Sequence, residues 1–216
     1  METTPLAKVR RLLALAVGEN AVFDGWTPAA VASAAAGHDV DPAVAALAFG
    51  NDPATMIIAY VEAIDAALEQ EFPAETIAAM RVSQRIRALL VKRFDLMQPA
   101  REAVRSSLNI MARPGNALTA ARLGWASADS MWRLAGDTAT DFNHYSKRAI
   151  LASITAATLL VWIDDDSEGA AATTAFIDRR LAGVARFEKT KAQWTGSAER
   201  RPSLARFVGR LRYPPA

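Results

Sequence analysis

The chain has 216 residues, 51% of them apolar, a formal net charge of +2 and no cysteine. That length can bury a substantial core as one domain or two small ones, and the missing thiols exclude a disulfide framework, a cysteine nucleophile and a Cys-based metal site. The small net charge conceals a segregation: no Lys or Arg and ten acidic residues lie between Leu12 and Met80, against ten basic and two acidic residues from Arg179 onward.

The opening Met1 to Pro5 has no charged segment leading into an apolar one and is read as no signal peptide. Alanine-rich stretches with few β-branched runs predict helix throughout. A first helix is expected from Pro5 to about Val17, with Leu6, Val9, Leu13 and Ala16 on one face. Thr27-Pro28 is a cap followed by a proline at the first helical position, and a short helix to about Ala36 follows. After a turn at Gly37-His38-Asp39, Asp41-Pro42 starts a third short helix that ends near Gly50. Asp52-Pro53 opens a longer one with Ile57, Val61, Ile64 and Leu68 at helical spacing.

Pro73 breaks that helix. The next is expected from Glu75 to Met97, with Ile86, Leu90 and Phe94 inward, and another from Pro99 to Ala112. Asn116 is read as the cap of a helix to Ala135, with Gly136 just past its end. Thr140-Asp141 begins a long helix to Ile163. Asp164 to Asp166 form a turn, and Asp166 or Ser167 caps a ninth helix to about Lys191. Thr195-Gly196-Ser197 reads as a linker, and Pro202 to Arg212 as a tenth helix. No strand or internal repeat is apparent. The apolar run Ala149 to Ile163 is shorter than the roughly 20 residues a spanning helix needs, so it is expected to be a core helix.

Three short helices followed by long ones resemble the TetR family: an all-α bundle with an N-terminal helix-turn-helix-like head. The second helix of the helix-turn-helix, the third of the head, would then lie in a DNA groove. Here that segment, Asp41 to Phe49, has no Arg, Lys, Asn or Gln to read a base edge, and its surroundings are acidic. Phosphate neutralisation supplies essentially all non-specific affinity, so no nucleic-acid partner is expected. A ligand-responsive transcriptional regulator stands as the alternative function.

The stretch Ser130 to Arg148, with its Met131-Trp132, Ala135-Gly136-Asp137 and Thr140-Asp141-Phe142-Asn143 pattern, resembles the ubiquinone (coenzyme Q) biosynthesis accessory family, the ninth of the Coq proteins. The likeness continues through Ala149 to Ala152, at Phe176 to Leu181, and at Gly25-Trp26-Thr27. The resemblance implies a homodimer that binds lipid, including isoprenoid quinone intermediates or phospholipid. It also implies association with a di-iron hydroxylase of the ubiquinone pathway. The positions Met131, His144, Tyr145 and Arg148 match residues on that family's hydroxylase-facing patch. His144 departs from the family's usual Trp, which removes a large apolar anchor.

Spacing agrees with such a patch, since Asp141, His144, Tyr145 and Arg148 fall at i, i+3, i+4 and i+7 on one helix face. These four and Met131 are the expected partner-binding residues. Ile150, Ile154 and Val161 lie on the opposite face and are the expected lipid-binding residues. In the tail, Leu204, Phe207, Val208 and Leu211 form an apolar stripe, with Arg206 and Arg210 pointing away. These six residues fit a short helix lying on an anionic membrane, although a helix packed on its own bundle shows the same pattern.

The chain has two histidines, and no His-Glu-x-x-His, Walker loop, dinucleotide fingerprint or Gly-x-Ser-x-Gly. The Asp164 to Asp166 run lacks the spacing of a calcium loop. No enzyme, cofactor or metal is therefore expected. The expected organisation is a head over 1–50, a lipid-binding and dimerisation bundle over 51–192, and a linker with a basic membrane-associating tail over 193–216. The expected location is cytoplasmic, peripheral on a bacterial inner membrane.

Overall fold

A computed structural model describes the backbone of residues 4–140 and 142–198, and their side chains except at 74, 142 and 188–198. The described residues are helical and contain no strand. The chain divides into two compact units, Met1–Ile177 and Asp178–Ala216.

The first four helices are α1 (Pro5–Asp24), α2 (Pro28–Gly37), α3 (Pro42–Phe49) and α4 (Pro53–Glu71). One local device starts them all. Thr27, Asp41 and Asp52 each accept a hydrogen bond from the second helical N–H, at 3.3, 2.7 and 3.0 Å, and Thr4 accepts one from the third, at 3.4 Å. Proline fills the first position, where its missing N–H costs nothing. Helix α1 is about two turns longer than expected, passing through Gly18 to stop at Gly25, whose φ of 65° suits glycine. Its buried side is Leu13, Ala14, Val17, Gly18 and Ala21, while Leu6 is exposed and Val9 and Ala16 are half-buried.

Alanines let α1, α2 and α3 approach closely around Ala30, Val31, Ala34, Ala45, Ala48 and Phe49. The Arg10 guanidinium donates to the Ala48 carbonyl at the end of α3. Trp26 fixes this head to the body: it is buried, its indole N–H donates to the Ala103 carbonyl at 2.8 Å, and its ring meets Tyr60 edge-on at 5.6 Å. Helix α3 turns Val44 and Leu47 outward.

The body is built on α4, which packs against α1, α6, α7 and α8. Helix α5 (Ala74–Ala78) and α6 (Val82–Met97) are separate where one helix was expected. The reason is Arg85, which donates to the carbonyls of Ala78 and Met80 at 3.0 and 2.8 Å and so satisfies the broken end. Its third bond, 2.8 Å to the Ala135 carbonyl, closes the end of α8 as well. Gly136 there has φ of 83°, and an added Cβ would stand 3.0 Å from the same guanidinium. As expected, Ile86, Leu90 and Phe94 are buried.

Short 3-10 turns lead into α7 (Arg101–Met111) and α8 (Ala117–Leu134). Asn116 stands at the N-cap of α8 as expected, but its side chain makes no capping bond and its amide donates back to the Ile110 carbonyl at 2.9 Å. Helix α9 runs Phe142–Trp162 and α10 runs Ala171–Ala198. Thr195-Gly196-Ser197 therefore lies within a helix and not in a linker, a tolerable place for one glycine at a cost of about 1 kcal/mol. No single described helix is long and apolar enough to cross a membrane; α3 and α4 pass that test only together and are bent by 93°.

The corner between α9 and α10 is held by Asp165 rather than Asp166. Its carboxylate accepts from the Ser167 N–H at 3.0 Å, the Thr173 N–H at 2.7 Å and the Thr173 hydroxyl at 2.6 Å. Ser167 in turn accepts from the Ala172 N–H at 2.9 Å. Burial opposes the charge on Asp165, but the hydrogen bonds from Ser167 and Thr173 outweigh it, and the carboxyl is held well below the usual range.

Two outcomes follow from this packing. A Cβ at Gly18 would overlap the Tyr60 ring carbons Cδ2 and Cε2, so Gly18→Ala should lose about 1–3 kcal/mol in urea melts despite its better helix propensity. For Asp165, a depressed native pKa confers stability that is complete above the unfolded value near 4 and is lost as pH falls below it. Asp165→Ala should therefore be markedly less stable than the parent at pH 7, with the gap closing between about pH 4 and pH 2.

Candidate functional site

Five helices leave a cavity of about 250 Å³ among them. From α4 come Ile57, Tyr60 and Val61, and from α6 come Arg93, Phe94 and Met97. Helix α7 supplies Val104, Leu108 and Met111, while α8 supplies Leu123, Gly124 and Ser127. The last wall is the α9 stripe Ala152, Thr155, Ala156 and Leu159. Gly124 and Ala156 are both lining residues and solvent-exposed, so the mouth lies between α8 and α9 at small side chains. A wider groove of about 780 Å³ beside α1 and α4 carries Arg10, Arg11, Glu62 and Glu69, which suits water better than hydrocarbon.

The polar atoms of the cavity wall are mostly committed. Arg93 pairs with Asp65 and donates to the Ser127 hydroxyl at 3.2 Å, and Ser127 donates to Asp65 at 2.7 Å. Ser107 and Thr155 bond to carbonyls of their own helices, at 2.7 and 2.9 Å. The walls are otherwise apolar, as a site for a greasy molecule requires.

Ile150, Ile154 and Val161 do not line this cavity. Ile154 is buried and the other two half-buried on the far side of α9. Ranking positions by hydrophobic bulk finds the packed side of a helix. A cavity forms where side chains are small, and on α9 that is the alanine side.

The expected partner residues also divide. Met131 is fully buried and Arg148 only 2% exposed, so neither can meet a partner directly. Arg148 is instead an internal clamp. It binds Asp129 of α8 at 2.5 Å, Asp137 of the following turn at 3.0 Å, and the His144 carbonyl at 3.1 Å. Lys147 adds a 2.6 Å bond to Asp137 and lies 5.3 Å from the Trp132 ring centre, whose indole N–H donates to the Lys147 carbonyl. Burial would raise the Asp137 pKa, but Lys147 and Arg148 outweigh it and lower it.

Tyr145 is 61% exposed, and its ring is 6.2 Å from Trp125 and 5.1 Å from His144. His144 is half-buried, with Nδ1 2.9 Å from the Ala139 carbonyl, so that nitrogen carries the proton. Asp141 lies outside the described residues, as do Leu204, Arg206, Phe207, Val208, Arg210 and Leu211 of the expected membrane tail. Trp125 was missed by sequence reasoning, although it stands seven residues after exposed Leu118 on the same face of α8.

The geometry corrects one further expectation. Tyr145, Ala152, Ala156 and Leu159 follow one another at i, i+7, i+11 and i+14, a single face of α9. The aromatic patch and the cavity lining therefore share a face, about 10 Å apart along the axis between Tyr145 and Ala152. Among the described residues no group of three or more His, Cys, Asp or Glu could hold a metal ion.

This all-α architecture belongs to the TetR-like class. It superimposes on the TetR transcriptional regulator from Nitrosomonas europaea with a TM-score of 0.63 at 20% identity, covering 82% of this chain and 98% of that one. At that identity the likeness establishes the fold alone. Residues 117–188, which hold α8, the clamp and α9, match the COQ9 family model. The chain is 30% identical over 182 residues to the mitochondrial ubiquinone biosynthesis protein COQ9 of Rattus norvegicus, covering 81% of this chain and 58% of that protein. It is 29% identical to its Homo sapiens counterpart over 81% of this chain and 57% of that one, and 22% identical to a probable COQ9 of Dictyostelium discoideum. Residues 117–188 thus carry a COQ9 domain, and the chain, similar to these ubiquinone biosynthesis proteins over about four fifths of its own length, spans somewhat under two thirds of theirs.

Removing Arg148 while leaving its carboxylates buried should cost about 3–5 kcal/mol. Arg148→Ala should thus show a large loss of stability in denaturant melts. Tyr145→Ala at the exposed site should stay within about 1 kcal/mol of the parent; a large loss there would mean that the ring is structural.

Proposed function

We propose that this protein is a non-catalytic carrier of ubiquinone biosynthesis that takes an isoprenoid quinone intermediate into the α4–α9 cavity and presents it to a membrane-bound di-iron hydroxylase. The observation that carries this reading is the shared face of α9, on which the cavity mouth at Ala156 leads to the exposed Tyr145. A cavity of about 150 Å³ is enough for benzene, so 250 Å³ has room for about two isoprene units. Burying ten such carbons from water would yield up to roughly 8 kcal/mol before the costs of binding.

The remaining parts of the reading are extensions of it. The exposed face around Tyr145, with His144 and Trp125 behind it, would dock the hydroxylase. The basic tail would hold the protein on the bilayer, which in a bacterial cell is the inner membrane, and the working form would be a homodimer. The relatives' names place those proteins in mitochondria and in ubiquinone biosynthesis; both settings contain a membrane that holds the quinone.

Mass spectrometry of lipids extracted from the purified protein should find a polyprenylated ring or another long-chain lipid, and Ala156→Trp, which narrows the mouth, should reduce its yield several-fold. Protein from membranes rich in quinone that carries no lipid at all would sink the carrier. Tyr145→Ala should keep its lipid and lose hydroxylase in a pull-down, whereas unchanged capture would remove this face from the reading.

A further inference from the structure

Tyr60 stands apart from the other polar side chains around the cavity. Arg93, Ser107, Ser127 and Thr155 all spend hydrogen bonds on protein atoms. The Tyr60 hydroxyl is buried and has no partner, while the residue is 3% exposed and forms part of the cavity wall. Its ring cannot easily turn away, being pressed against the backbone of α1 at Gly18 on one side and against Trp26 on the other. A phenylalanine would fill the same space without burying an unpaired hydroxyl, which is an expensive feature to keep.

The charge around it is balanced. Arg93 faces the cavity from α6, but Asp65 of α4 neutralises it in a close pair. Burial drives the Tyr60 phenol well above its usual range, although Arg93 pulls it down. The hydroxyl is therefore a standing donor at neutral pH, in a pocket with no spare positive charge. An anionic phosphate brought here would lose its hydration without gaining a counter-ion. An uncharged oxygen would lose little and would satisfy the donor.

We propose that the cavity selects a guest whose apolar body carries an uncharged carbonyl or ether oxygen, and that the Tyr60 hydroxyl donates its hydrogen bond to that oxygen. The proposal rests on the carrier reading for the cavity being occupied, and it adds what chemistry of guest is recognised. Tyr60 is thus a specificity-determining residue.

The test compares two probes of nearly equal shape, 2-methyl-1,4-naphthoquinone and 2-methylnaphthalene, against the full chain and Tyr60→Phe by calorimetry. The absence of cysteine removes thiol addition to the quinone as a complication. The parent should bind the quinone about tenfold more tightly than the hydrocarbon, the effect of one buried hydrogen bond. Tyr60→Phe should erase that preference by weakening the quinone about tenfold and leaving the hydrocarbon unchanged. Without ligand, the variant should melt at or above the parent temperature, since it loses no internal bond.

Equal affinity of parent and variant for the quinone would overturn the anchor and leave the carrier intact. If neither probe binds the parent, the cavity is not a guest site and both readings fall. A variant that melts lower without ligand has lost an internal partner of the hydroxyl, which also overturns the proposal. Octyl phosphate binding the parent as tightly as the quinone would refute the preference for an uncharged guest.

Discussion

The α8–α9 pair depends on one buried cation. Arg148 joins a carboxylate within α8, Asp129, to one in the turn after it, Asp137, and closes on its own helix through the His144 carbonyl. Such a cluster adds little net stability over a well-packed apolar substitute, because the desolvation of three charges consumes most of the attraction. What it does is forbid alternatives. A slide of one helix along the other would strand a buried charge, so register is set even though the α9 surface beyond it is mostly alanine. The positions of the aromatic patch and the cavity mouth both follow from that register.

That constraint explains why the small residues of α9 can remain small. In an ordinary bundle, alanines facing alanines would let the helices close up until the void vanished, because empty space forfeits dispersion energy. Here α8 and α9 are clamped at one end by Arg148. At the other, Arg101 of α7 binds the carbonyls of Ile163 and Asp165, just past the end of α9, at 3.1 and 2.8 Å. Between the two fixed ends the Ala152 to Leu159 stripe spans a gap that it cannot collapse.

How much of this was legible in the sequence differs by the range of the interaction involved. Helix starts at Thr27-Pro28, Asp41-Pro42 and Asp52-Pro53 were readable because a cap and its amide lie two residues apart. The stop at Gly136 was readable for the same reason. The break between α5 and α6 was hidden, since Arg85 satisfies the broken end at Ala78 and Met80 through a side chain that helical spacing does not register, and its third bond reaches Ala135, 50 residues away. The donor-free α3 and its acidic surroundings were visible at once, whereas the attachment of the head through Trp26 to Ala103 spans 77 residues. For the site, helical spacing put His144, Tyr145 and Arg148 on one face correctly, but it could not tell an exposed ring from a buried guanidinium. Nor could it place the cavity, which is defined by missing volume on five helices at once. Tyr60 did leave a signal, a hydroxyl within the apolar run from Met56 to Val61, and the stripe reading passed over it for Val61.

For a carrier that exchanges its guest with a bilayer, the hydrophobic effect settles less than it does in water. An isoprenoid tail is already out of water in the membrane, and lipid chains are as apolar as leucine, so moving it into an apolar cavity changes its hydration hardly at all. The free energy that decides between bilayer and protein must come from what the bilayer interior lacks: close packing against fixed walls and directed hydrogen bonds. The cavity offers the first through Phe94, Met97 and Leu159, and the second through the unspent donor on Tyr60. A neutral, sparsely polar pocket of this kind would hold its guest firmly enough to extract it and loosely enough to release it. A charged or fully apolar pocket would fail one of those two requirements, the first by excluding the guest and the second by having no advantage over the membrane.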